Sequence, residues 1–135
     1  MQNKKRKMMN NRKRKFGEPI NIVICGCREY NDFEKLADCL DALLKNVRVG
    51  TIITGGCRGA DTMAHAYARH KGYKTKVILA KWKMQGRAAG PIRNTKMARA
   101  GHATIAFVSK NSNGTLDMIR QAAEHEHEYI HIEKI

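Results

Sequence analysis

From residue 19 onward, short apolar runs alternate with longer amphipathic stretches. Positions 20–25 form an apolar run suited to a buried strand, and 26–31 form a polar turn. Asp32 can cap a helix reaching to about residue 46, because Leu36, Leu40, Leu43, Leu44 and Val47 then share one face. A second strand is predicted over 51–54. A second helix follows over 61–71, with Gly72 placed to end it in the left-handed conformation. A third strand is predicted over 76–80, then a long connection over 81–90. Pro91 suits the first turn of a short helix that stops at Gly101. The fourth strand is predicted over 103–108, a polar turn over 109–114, a helix over 115–125 and a shorter fifth strand over 129–132. There is no internal repeat.

Strands that alternate with helices make right-handed βαβ units. The expected fold is therefore α/β: a single three-layer domain with a mainly parallel five-stranded sheet and helices on both faces. Ligands of such sheets bind beyond the carboxyl ends of the strands, where strand order reverses. Three turns fall at those ends, 26–31, 55–61 and 109–115, and all are rich in Gly, Asn, Ser or Arg.

The second of these turns carries the densest signal. Gly55-Gly56-Cys57-Arg58-Gly59-Ala60-Asp61 follows an apolar strand and opens a helix. Glycines let the backbone approach an anion, and the free N–H groups of a first helical turn point at it. The loop is neither a Walker A loop nor a G-x-G-x-x-G fingerprint, so it points to phosphate without naming the ligand. A tight turn that needs glycine only for its geometry has the same composition. Arg28 and Arg58 can make bidentate contacts to phosphate. Asp61 best fits a cap for the helix it begins; a ribose hydroxyl or a metal is the other use for such a carboxylate.

Further along, Gly90-Pro91-Ile92-Arg93-Asn94 brings an arginine and an asparagine into the approach to a helix. Trp82, the only tryptophan, can stack on a base or anchor its loop on the core. Gly114 and Thr115 form a second strand-to-helix turn able to hold a phosphate, or simply to cap the helix. His125, His127 and His131 only partly share a face, so no metal site is expected of them. Nor is one expected of Cys25, Cys27 and Cys57, which lack zinc-ligand spacing.

Composition adds a second part to the chain. Its 135 residues suffice for one domain with a real core, and its net charge is +14. Lys4, Lys5, Arg6, Lys7, Arg12, Lys13, Arg14 and Lys15 precede Phe16 with no acid among them, leaving +6 for the rest. Residues 1–16 are expected to be a disordered basic tail, and 17–135 the folded domain. Such a tail can bind nucleic acid non-specifically through residues 1–15, by counterion release, or simply keep the chain in solution. No apolar stretch is long enough to span a membrane, and the unpaired cysteine pattern suits reduced thiols in the cytoplasm.

Taken together, these motifs resemble the SLOG superfamily, a Rossmann-like group that includes the DNA-processing protein A family and the LOG-type phosphoribohydrolases. The likeness is to its small stand-alone YspA-like domains of bacteria and phages. The pattern there is Gly-Ser-Arg, then Gly-Gly-Ala-Arg-Gly-Ala-Asp, a Trp, Gly-Pro-Ile-Arg-Asn and a Gly-Thr turn. Here these read Gly26-Cys27-Arg28, 55–61, Trp82, 90–94 and Gly114-Thr115, so the likeness spans about 20–133. Cys27 and Cys57 replace Ser and Ala.

The resemblance implies a pocket for a nucleotide or nucleotide-derived ligand, used to sense or sequester a signal. The phosphate- and ligand-binding positions it implies are Gly26, Cys27, Arg28, Gly55, Gly56, Cys57, Arg58, Gly59, Asp61, Trp82, Arg93, Asn94, Gly114 and Thr115. No cofactor other than that ligand is implied, and a homo-oligomer is left open. The alternatives are a nucleotide N-glycosidic hydrolase, with Asp61 or Asp117 as its acid, and a DNA-associated module that binds through the tail. LOG-type enzymes carry a catalytic Glu three residues past the Gly-Thr threonine. Met118 stands there in this chain, which argues against that reaction.

Overall fold

The structure is a computed structural model that describes residues 14–110 and 112–135. Five strands are present among the described residues: β1 (Ile20–Gly26), β2 (Val49–Thr54), β3 (Lys74–Val77), β4 (Ala103–Val108) and β5 (Tyr129–Lys134). Every pairing is parallel and the order is β3-β2-β1-β4-β5. A parallel sheet needs helical crossovers, and these supply both outer layers. The helices are α1 (Phe33–Leu44), α2 (Ala60–Lys71), the short α3 (Trp82–Gln85), α4 (Ala89–Ala100) and α5 (Asn113–Glu124).

Alternation along β1 divides the core in two. Ile22 and Ile24 face α1 and α2, meeting Leu36, Leu40, Ala64 and Tyr67. Val23 and Cys25 face α4 and α5, meeting Met97, Ala98, Met118 and Ala122. Both faces of the central strands are therefore dry, which is why they read as unbroken apolar runs. The three-layer α/β fold expected of the sequence is the observed one.

Asp32 caps α1 by accepting from the Lys35 amide (3.1 Å), and Gly72 ends α2 with φ +79°. Several boundaries differ from expectation. β3 lies at 74–77 rather than 76–80, because its Thr51↔Lys74 to Thr54↔Val77 register follows β2 and leaves the apolar Ile78 and Leu79 beyond the ladder. The connection 81–90 is not a loop: it contains α3, a 3₁₀ turn at Gly86–Ala88 and the start of α4. Pro91 sits in the first turn of α4, where its missing N–H costs nothing. α5 begins at Asn113 rather than 115, with Ser112 in the cap position.

The expected tail falls outside the described residues for 1–13. The folded part starts before residue 17, because the Arg14 guanidinium holds Glu128 (2.7 and 3.1 Å) and donates to the Glu18 carbonyl (2.6 Å). No helix among the described residues is long and apolar enough to cross a membrane.

Candidate functional site

Strand order reverses between β1 and β4, whose following helices cover opposite faces. A crevice opens at that point beyond the carboxyl ends of the strands. It holds a cavity of about 880 Å³, within the usual size of small-molecule sites. The first wall is the turn after β1, with Gly26, Cys27, Arg28 and Tyr30; α4 adds Arg93, Asn94 and Met97; Ser109, Lys110 and the first turn of α5 close the far side. Cys25, Cys57, Asp61 and Met118 also line it.

The glycine loop is closely packed by its surroundings. Its glycines face neighbouring protein rather than the cavity. A Cβ on Gly59, which has φ +79°, would lie 2.5 Å from the Arg28 carbonyl oxygen and against that of Cys27. One on Gly56 (φ +73°) would lie 2.5 Å from Leu79, and one on Gly55 would strike the Arg93 guanidinium. The N terminus of α2 is moreover already used. Ala60 donates its amide to the Cys27 carbonyl (3.2 Å), and the Asp61 carboxylate accepts from the Cys57 amide (3.1 Å). Asp61 therefore reaches back to hold the loop, and the cap position of its own helix is Gly59. Only Cys57 and Asp61 of the loop reach the cavity.

The opposite helix start is open. Among the described residues no side chain caps α5, because the Ser112 hydroxyl turns back to accept from the Ser109 amide (3.1 Å). The N–H groups of Asn113, Gly114 and Thr115 are left at the cavity wall, with the helix dipole behind them. A Cβ on Gly114 would meet nothing within 4 Å. Gly114 thus has no packing reason to be glycine, unlike Gly26, Gly55 and Gly59.

Arg93 and Asn94 join these parts. Arg93 is 9% exposed; its guanidinium donates to the Gly55 carbonyl (2.8 Å) and to Asn94 Oδ1 (2.9 Å). Asn94 Nδ2 donates to the Gly114 carbonyl (3.1 Å) and to Asp117 Oδ2 (2.9 Å). Burial pushes the Asp61 carboxyl up to about 6, against the pull of the Cys57 amide and of Arg93. Burial likewise raises the Cys25 thiol, far from a thiolate.

The cavity collects Gly26, Cys27, Arg28, Cys57, Asp61, Arg93, Asn94, Gly114 and Thr115 of the expected positions. It does not collect Gly55, Gly56, Arg58, Gly59, Trp82 or Asp117. Arg58 points outward to an exposed ion pair with Glu29 (2.9 Å). Trp82 is half-exposed on α3, against Gly90. Asp117 is held by Asn94 and Arg120. Tyr30, stacked on Phe107 at 5.6 Å between ring centroids, and Lys110 were not singled out by the motifs, although both sit in polar turns that were. The three histidines are dispersed. His127 spans Thr104 and the Ala98 carbonyl, burial keeps it neutral, and His125 bonds the Gln121 carbonyl.

Fold and cavity define a Rossmann-like α/β domain with its crevice at the reversal of strand order. The chain belongs to the YspA, cpYpsA-related SLOG family, whose model matches residues 20–84. It is 34% identical over 108 residues to Gene 61 protein of Mycobacterium phage D29, covering 75% of this chain and 86% of that protein. The structure of DNA processing protein A from Streptococcus pneumoniae shares the fold with a TM-score of 0.64 at 20% identity. That match takes in 82% of this chain but 49% of the other, so the chain spans about half of that protein.

Two outcomes follow from this geometry. Gly26→Ala forces a Cβ to 2.7 Å from both the Ala60 Cβ and the Phe107 carbonyl oxygen. It should cost about 1–3 kcal/mol in denaturant unfolding. Gly114→Ala, in open space within a helix, should be neutral or stabilising by up to about 1 kcal/mol.

A further outcome concerns pH. Asp61 has its folded pKa raised to about 6 from 3.8, so the folded state binds this proton more tightly than the unfolded chain. Its contribution to stability is full below about pH 4 and is lost as pH rises through 6. The melting temperature of the natural chain relative to Asp61→Asn should therefore fall between pH 4 and pH 6.5. A flat difference would contradict the burial of this carboxyl.

Proposed function

We propose that the domain binds a nucleotide or nucleotide-derived ligand in the crevice between β1 and β4, with a phosphate at the N terminus of α5. The observation that carries this reading is the uncapped first turn of α5, opening on a cavity that also presents Arg28 and Lys110. Amide N–H groups and a helix dipole at the edge of a polar cavity suit a phosphate, and the two cations at its wall complete the neutralisation. Tyr30 offers an aromatic wall and Met97 and Met118 an apolar floor, a surface suited to a base. Membership of the SLOG family agrees with a nucleotide-related role at this coarse level.

The test is native mass spectrometry of freshly purified protein, followed by calorimetric titration with nucleoside mono-, di- and triphosphates. A nucleotide mass should co-purify or a titration should saturate. Arg28→Ala and Lys110→Ala should each weaken binding about tenfold. Binding that ignores the double variant, or no binding of any nucleotide, would overturn the assignment.

A hydrolytic reading rests on one observation, the buried Asp61 carboxyl raised to about 6 beside the cavity. Such perturbation suits a general acid. It is weighed down by the Cys57 amide that already occupies the carboxylate, and by Met118, buried and without acid function, on the cavity floor. General acid or base help is typically worth about 10²–10⁴-fold. No appreciable release of free base from AMP or GMP is expected. Multiple-turnover release abolished by Asp61→Asn would put the enzyme reading first.

A further inference from the structure

A second group of chemically able side chains lies outside the cavity. Cys39 of α1 meets His131 and Glu133 of β5, and one ligand atom from each lies within 4.8 Å of the other two. Residues 131 and 133 are two apart on a strand, so their side chains leave the same face. That is the face α1 covers, because Ile130 between the helices of the other layer fixes the alternation. His131 Nε2 is 2.8 Å from Glu133 Oε1. The Tyr129 hydroxyl lies 3.5 Å from the other ring nitrogen, Nδ1. All three donors are half-buried at an edge strand of the sheet.

We infer that Cys39, His131 and Glu133 form a binding site for a zinc-class divalent cation, joining α1 to β5. The donor set decides the class. A thiolate, an imidazole and one carboxylate match Zn²⁺, whereas Ca²⁺ and Mg²⁺ require oxygen cages. Tetrahedral bonds of about 2.0–2.3 Å separate ligand atoms by roughly 3.3–3.8 Å, so small rotamer changes close the site. His131 would bind through Nε2, with Tyr129 beside Nδ1 as the outer partner that such ligands commonly have. The cation displaces the Cys39 thiol proton to solvent, and the His131 ring proton passes from Nε2 to Nδ1, where the Tyr129 hydroxyl can accept it, leaving Nε2 and the Glu133 carboxylate to bind the cation. Three protein ligands leave the fourth position to water. The pinning of an edge strand is the structural consequence.

The experiment uses the full chain, stripped with chelator and titrated with Co²⁺. About one equivalent should give the intense near-ultraviolet thiolate-to-cobalt band and tetrahedral visible bands. The band should vanish in Cys39→Ser, fall at least tenfold in affinity in His131→Ala, and persist in a triple Cys25, Cys27 and Cys57→Ser variant. Zn²⁺ should displace Co²⁺ and raise the melting temperature of the natural chain with concentration, but not that of Cys39→Ser. No thiolate band, or a band that survives Cys39→Ser, would show that the three side chains are only a hydrogen-bonded cluster. Should Cys39→Ser fold poorly, Glu133→Gln gives the same reading through weakened cobalt affinity.

Discussion

The buried Arg93 guanidinium is the interaction on which the functional edge of this domain depends. A desolvated charge is tolerated only when its donors are matched. Here the Gly55 carbonyl and Asn94 accept from it and Asp61 faces it. To meet those partners the loop after β2 must come down onto α4, and only a residue without a Cβ fits where Gly55 lies against the guanidinium. Asn94 then carries the constraint to Gly114 and Asp117 on α5. One side-chain pair thereby sets three chain segments relative to one another around the cavity.

That arrangement explains why two similar strand-to-helix turns have opposite roles. The α2 turn spends its polar groups internally: an amide on Cys27, a carboxylate on Cys57, glycines against neighbouring backbone. The α5 turn directs the Ser112 hydroxyl away from the helix and leaves its first amides facing the cavity. An anion approaching the first turn meets a carboxylate. At the second it meets N–H groups, Lys110 and open space at Gly114. The difference comes from the partners, since both turns contain glycine and a hydroxyl or acid at helix-start spacing.

The same edge of the sheet holds other chemistry. Cys25, Cys27 and Cys57 all line the cavity, yet they are not the thiols that a cation would find. Cys39 lies instead with His131 and Glu133, residues more than ninety positions away in the chain. Parallel topology makes this possible, because every strand delivers its carboxyl end to one edge and α1 passes over β5 only in the folded sheet.

The apolar runs at β1, β2 and β4 and the amphipathic spacing of α1 were sufficient to establish a parallel α/β domain, because burial on both faces imposes unbroken hydrophobic strands. The family motifs likewise located Arg28, Arg93, Asn94, Gly114 and Thr115, which the folded chain does bring together. Local pattern failed where pairing or a distant partner decided. β3 moved to the register offered by β2. Asp61 does not cap its helix, because the helix starts at Ala60 with Gly59 in the cap position, and the Asp61 carboxylate accepts from the Cys57 amide instead. Gly55, Gly56 and Gly59 proved to be spaces for Arg93, Leu79 and the turn after β1. Glycine in a sequence marks a place where a side chain is excluded, and only tertiary structure determines whether protein or ligand excludes it.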